Sequence, residues 1–248
     1  MPFDNTFRAS WGALGYGTDH GSAATGEPPP KEFIRLYHIC PAHHALSDIE
    51  HGRLKIACFE DLNDPFEFRA LEFRDRNIRT IVKDFGANFG LSTGLLCFSE
   101  DWTSPVMWSH YGDSHRGLCL GFDIPRRSVR KVHYKSKRLR MELPPDEVPI
   151  AISPEMQRLL LRAKCREWAY ERERRMFVPF DQAVESGNLK FRLFDNRLRL
   201  REIILGPKCI NDVLDVRDLA ARHRGVRIFK ARLAWNHFKV VPVESSVP

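Results

Sequence analysis

Two short apolar runs, Leu95-Leu96-Cys97-Phe98-Ser99 and Leu118-Cys119-Leu120-Gly121-Phe122-Asp123, flank a compact segment that opens at Ser104-Pro105 and ends at Tyr111-Gly112. Runs this short and this continuously apolar, bounded by polar residues or Gly, suit strands buried on both faces. The segment between them suits a helix of about two turns. Ser104 can cap its free N–H groups, Pro105 fits the first helical position because its missing N–H would be unpaired anyway, and Gly112 can take the left-handed stop. Helical spacing puts Trp108 and Tyr111 on one face, with His115 just beyond the end. A compact turn thus presents Trp, Tyr and His beside two strand ends. Trp108 reads as core. Tyr111 reads equally well as a core residue with a wet hydroxyl or as a ring turned towards a ligand.

The flanking sequence supplies further elements. Residues 1–30 contain five glycines, end in Glu27-Pro28-Pro29-Pro30 and show no hydrophobic period, so they read as a flexible arm before a single domain spanning residues 31–248. Phe33 to Ile39 alternates as a strand, with Ile34, Leu36 and His38 on one face. Pro41 opens a helix that Gly52 closes, with Ala45, Leu46 and Ile49 inward and Asp48 and Glu50 outward. A strand from Leu54 to Phe59 leads into the polar loop Asp61-Leu62-Asn63-Asp64-Pro65-Phe66-Glu67. Residues 70–85 suit a surface helix, and residues 86–94 a glycine-bearing loop. Val132-His133-Tyr134 suits a short strand, Leu143 to Pro154 is too rich in Pro to be regular, and a helix is expected from Glu155 to about Cys165. As a strand, residues 170–178 would line Glu171, Glu173 and Arg175 along one face, where an Arg or a cationic ligand offsets the repulsion of two carboxylates. Leu200 to Gly206 reads as a strand, Asn211 as the cap of a helix reaching about Arg222, and Val226 to Trp235 and Phe238 to Val243 as two more strands. The result is an α+β chain with mixed, largely antiparallel sheets and flanking helices.

Composition narrows the function classes. The chain has 248 residues, 43% hydrophobic and 29% charged, which is enough for an ordinary core and excludes general disorder. Its net charge of +7 favours an anionic partner or substrate. It contains no apolar run long enough to cross a bilayer, and residues 1–30 lack the pattern of a signal peptide, so a cytoplasmic protein without a membrane partner is expected. The six cysteines are scattered without a CxxC pair and read as buried small hydrophobes. Cys40 with His43 and His44 has no second Cys/His pair nearby, so no metal is expected. The glycines of the arm do not sit between a strand and a helix, which argues against a phosphate-cradling loop.

Several of these motifs together carry a resemblance. Asn63-Asp64-Pro65-Phe66-Glu67, Cys97-Phe98-Ser99, Trp108 to Tyr111 with His115 and Gly117, Trp168-x-Tyr170-Glu171-x-Glu173-x-Arg175 and Glu202 to Gly206 resemble, in order, the signature of a bacterial domain of unknown function numbered twenty-nine seventy-one. The name implies no activity. In layout the chain is also similar to ADP-ribosyltransferases of the diphtheria-toxin type. Those have an early strand bearing His, a strand leading to a short helix that ends in Tyr, and a late strand bearing Glu.

The second resemblance implies NAD as substrate, bound without a dinucleotide fingerprint on an ADP-ribosyltransferase-like core. His38 would hydrogen-bond the adenosine ribose and Tyr111 would stack on nicotinamide. Glu173 would hold the nicotinamide ribose and stabilise the cation formed as nicotinamide leaves, while Glu171 would orient or deprotonate an acceptor. Ser99, Trp108, His115 and Arg175 join the binding candidates, and Asn63, Asp64 and Glu67 form a candidate substrate loop. Such an enzyme would act as a toxin or phage-defence effector on a protein or nucleic-acid acceptor. The alternatives are a nucleic-acid-binding component of the same systems and a nuclease with Asp64, Glu67, Glu171 and Glu173 around a divalent metal. Arg175, on the face of the glutamates, would compete with such a metal.

Overall fold

The computed structural model describes residues 26–67, 69, 71–72, 76–140 and 152–243. Most of the expected arm and the Pro-rich stretch up to residue 151 lie outside them. The chain runs through β1 (Phe33–Cys40), α1 (Ala42–His51), β2 (Arg53–Lys55), β3 (Leu71–Glu72), α2 (Arg76–Ser92), β4 (Thr93–Ser99), α3 (Pro105–His110) and β5 (Leu118–Pro125). It continues through β6 (Arg130–Lys131), β7 (His133–Lys135), β8 (Leu139–Arg140), α4 (Pro154–Arg162), β9 (Ala163–Cys165) and β10 (Glu173–Pro179). The last elements are β11 (Val184–Ser186), β12 (Leu189–Leu193), β13 (Arg199–Leu205), α5 (Val213–Leu219), β14 (Arg227–Leu233) and β15 (Val240–Pro242).

Among the described residues, eight strands make the main sheet in the order β15-β14-β13-β5-β1-β4-β10-β6. Its pairings are antiparallel except β13 with β14. The two apolar runs of the sequence become β4 and β5, and β5 is buried at every position, as expected of a central strand. They are not neighbours: β1 lies between them, pairing His38 with Leu120 on one side and Tyr37 with Ser99 on the other. One face of the sheet packs Leu36, Leu96, Phe122 and Ile203 with Ile49 of α1 and Val216 of α5. The opposite face packs Ile39, Cys119 and Ile204 with Trp102, Met107 and Trp108 around α3. Side chains that alternate along a strand therefore feed two separate cores.

Several expected boundaries move, each for a local reason. The helix begun near residue 76 does not stop at Gly86 but runs through Gly90, where a loop was expected. Phe85 and Phe89 lie one turn apart, 5.7 Å between ring centroids, and Phe89 also meets Phe59 at 5.5 Å and Phe177 of β10 at 6.0 Å. That aromatic cluster offsets the roughly 1 kcal/mol that a glycine costs inside a helix. The expected strand over Leu54 to Phe59 shortens to β2, and a 3-10 turn replaces its end. Helix α3 ends at Tyr111 without a left-handed Gly112. The positive φ values fall instead on Asp113, Ser114 and His115, at 45°, 51° and 74°. Asp212, rather than Asn211, caps α5, its carboxylate accepting the Leu214 N–H at 2.6 Å. The hairpin of β11 and β12 went unanticipated, although Gly187-Asn188 is a common two-residue hairpin turn and Gly187 has φ 60°. Cys58 is exposed, unlike the buried Cys40, Cys119 and Cys209, and all six cysteines are free.

Asp48 was expected to face water, but it is buried on the inner side of α1. Burial pushes its carboxyl up to about 7, against the pull of Arg53. An unfolded Asp titrates near 3.9. Between about pH 4 and 7 the folded protein therefore holds a proton that the unfolded chain has released, so stability falls as pH rises through that window and levels off above it. Asp48→Asn should stabilise the protein by up to a few kcal/mol at pH 8 and change little at pH 4. Urea denaturation at the two pH values checks this, and equal effects at both would contradict it.

Candidate active-site cleft

The adjacency of β1, β4 and β10 sets the site. Register pairs Glu173 with Ser99 and Arg175 with Cys97, so the start of β10 lies against the end of β4, one strand from His38. The expected strand over residues 170–178 begins only at Glu173. Residues Arg166–Glu171 form a 3-10 turn, and Arg172 takes a left-handed conformation with φ 47°. Glu171 and Glu173 consequently do not share a strand face. The turn swings Glu171 back under the end of α3, where Tyr111 meets it. The resulting cleft of about 200 Å³ is lined by His38, Ser99, Tyr111, Glu171, Glu173 and Arg175, together with Asn63 and Glu67 from the polar loop.

The floor of the cleft is a chain of charges. Arg175, 1% exposed, reaches Glu67 with both terminal nitrogens at 2.5 and 2.9 Å, and Glu173 at 2.7 Å through Nε. Lys164 donates to Glu171 at 2.6 Å and approaches Glu173 at 3.4 Å. The Tyr111 hydroxyl donates to Glu171 at 2.5 Å and accepts from Asn63 at 2.6 Å. Tyr134 of β7 accepts the backbone N–H of Glu173 at 2.7 Å. These surroundings drive the two glutamates apart. Burial, the largest influence on Glu171, raises its pKa in spite of Lys164. Burial also opposes ionisation of Glu173, but Arg175 and Lys164 outweigh it and hold that carboxyl below its ordinary value. Carboxylates split in this way suit different tasks, one held ionised by its cations and the other readier to take up a proton.

His38 is fixed by a contact between Nδ1 and the Cys97 carbonyl oxygen at 3.1 Å. A carbonyl only accepts, so Nδ1 carries the proton. Burial lowers the pKa of the ring and keeps it neutral. Nε2 is then an acceptor, the complement of a ribose hydroxyl. Cys97 lines the same cleft, but burial and then Glu173 raise its thiol far above the range of a reactive cysteine.

Three expected binding residues do not belong here. Trp108 has no exposed surface, and its indole N–H donates to the Trp102 carbonyl at 2.6 Å, which makes it the core of the α3 face and closes it to a ligand. His115 lies in the turn after α3, where its carbonyl accepts the Lys208 N–H at 3.0 Å, and it does not line the cleft. Asp64 is buried and caps its own loop, accepting the Phe66 N–H at 2.9 Å. Ser99 does border the cleft, but its hydroxyl is occupied by the backbone of Asp101. The carboxylates considered for a metal are thus divided, with Asp64 in its turn and Glu67 and Glu173 held by Arg175. Among the described residues no group of three or more His, Cys, Asp or Glu is placed to hold a metal ion.

Sequence reasoning missed Lys164 and Tyr134. A single lysine at the end of an amphipathic helix reads as solvated, and nothing in Ala163-Lys164-Cys165 signals its burial between two glutamates. Tyr134 sits in a strand too short to show a pattern. No family model, curated protein or solved structure matches this chain. No helix among the described residues is long and apolar enough to cross a membrane.

Proposed function

We propose that the cleft binds NAD and breaks its nicotinamide–ribose bond, passing ADP-ribose to an acceptor in the manner of an ADP-ribosyltransferase. One observation carries the reading. His38, Tyr111 and Glu173, to which the resemblance in layout assigns nucleotide binding and bond cleavage, line a single cleft although they lie far apart in sequence. Charge balance supports it. Glu67, Glu171 and Glu173 share two cations, Arg175 and Lys164, and Asp61 also lines the cleft, so with every group ionised the cleft lacks compensating positive charge. The cationic nicotinamide ring and the cation left on the ribose both supply it.

In this reading the electron pair of the bond between the ribose carbon and nicotinamide leaves with nicotinamide, which departs neutral. The ribose carbon becomes oxocarbenium-like beside ionised Glu173. The acceptor then bonds to that carbon and gives its proton to Glu171, whose pKa is raised by burial above its ordinary value. Nε2 of His38 accepts from a ribose hydroxyl, and the ring of Tyr111 is held at the mouth by Asn63 and Glu171.

The test is calorimetry for NAD binding and chromatography for nicotinamide release. Binding with release is the expected result, and the absence of both would end the proposal. His38→Ala should weaken NAD binding about five- to tenfold, the loss of roughly one hydrogen bond. An unchanged affinity would remove His38 from the site.

A further inference from the structure

Beside Glu173, along the edge of the main sheet, runs a basic surface that bond cleavage does not use. Strand β6 pairs with β10 and sets Arg130 opposite Arg175 and Lys131 opposite Arg174. Strand β7 follows at once, and its Tyr134 turns inward to the Glu173 amide while His133 and Lys135 are exposed. Cations are crowded here more than they are paired. Arg162 donates to His133 Nε2 at 2.9 Å and to the Lys131 carbonyl at 3.2 Å, and burial with the neighbouring Arg130, Arg158 and Arg174 lowers its pKa. Arg174 does have a carboxylate partner, Glu100 at 2.6 Å.

Between this stripe and the cleft lies a hollow of about 130 Å³, walled by Arg69, Lys135, Lys137 and Arg138 around Phe66. Lys164 borders both the hollow and the cleft. The Arg138 guanidinium stands 5.3 Å from the centre of the Phe66 ring, and Phe66 is 48% exposed. Crowded like charges are costly in the free protein and are relieved by a polyanion, which releases its own counterions on binding. An exposed aromatic among them offers a stacking surface, which a phosphate ion or an acidic polypeptide has no need of.

We infer that this surface seats a single-stranded nucleic acid, with phosphates on β6, β7 and the Lys137-Arg138 turn and a base against Phe66, so that the acceptor presented to the cleft is a nucleic acid. The acceptor assignment rests on the proposed transfer reaction, whereas the binding surface does not.

The test uses the full chain and labelled RNA and DNA strands of about 20 nucleotides, read by fluorescence anisotropy between about 50 and 200 mM salt. The wild type should bind, with affinity falling steeply as salt rises. A triple variant, Lys135→Ala, Lys137→Ala and Arg138→Ala, should bind at least tenfold more weakly, with a salt dependence shallower by about two in the log–log slope. All three residues are exposed, so the melting temperature should not move, and neither should nicotinamide release to water. No binding at low salt, an unaffected triple variant, or equally tight binding of polyglutamate would each overturn the inference. Binding by a protein that releases no nicotinamide would leave the binding surface standing and remove the cleavage reading together with the acceptor assignment that rests on it.

Discussion

Glu173→Gln should reduce nicotinamide release by about a hundredfold to a thousandfold while the protein stays folded. The substitution keeps the shape and reach of the side chain but removes the charge that, in the proposed reaction, faces the ribose as nicotinamide departs, which corresponds to roughly 3 to 4 kcal/mol of barrier. NAD affinity should change far less, because the charge matters most in the transition state. Folding should survive because the remaining charges pair off. Arg175 keeps its two-point contact with Glu67, and Lys164 keeps Glu171 at 2.6 Å. The measurement is single-turnover release alongside calorimetry. If affinity and rate fall together by the same factor, Glu173 holds the substrate in the ground state and does not act in the bond-breaking step.

Arg175→Met should have the opposite profile, with stability lost first. Arg175 has 1% of its surface exposed and spans Glu67 and Glu173, so its removal leaves two buried carboxylates without their main cation. Breaking a buried pair by deleting one partner typically costs about 3 to 5 kcal/mol. In a domain of this size that corresponds to a melting temperature lower by on the order of ten degrees. The loss should be larger at pH 8 than at pH 5, since a carboxyl robbed of its cation can be neutralised by a proton. Adding Glu67→Gln should recover part of it. A shift of only a degree or two would mean that the network is more hydrated than its burial implies.

The elements with a strong pattern were legible in the sequence. The start of helix α3, with Ser104 accepting the Met107 N–H and Pro105 in its first turn, follows from N-terminal capping chemistry, and β4 and β5 follow from their unbroken apolar runs. Trp108 as core was legible for the same reason, being one turn from Tyr111 on an apolar helix face. What was not legible depends on contacts across the chain. The insertion of β1 between β4 and β5 leaves no local mark, since an alternating strand pairs equally well at an edge or at the centre. Helix α2 crosses its glycines because Phe59 and Phe177 meet Phe89 from distant segments. Period two read through Arg172 puts Glu171 on the strand face of Glu173, and the left-handed conformation of a non-glycine residue cannot be foreseen from composition. Asp48 looks solvent-facing in the sequence because nothing in the local helix pattern marks its burial beside Arg53 and Cys40.

The position of β1 also governs the order of assembly. The first strand among the described residues, β1, becomes an interior strand, and the Arg35 to Asp123 contact that links it to β5 spans 88 residues. Pairing between segments so distant is slow, because the intervening loop must close before any contact repays its entropy. Strand β5 must then wait for β13, whose last residue is Leu205, to cover its other side. Until that point a chain emerging from the ribosome exposes the edge of an almost wholly apolar strand, the kind of edge that recruits other chains. Yield on synthesis and refolding should therefore depend on protein concentration more steeply than the stability of the finished sheet would suggest.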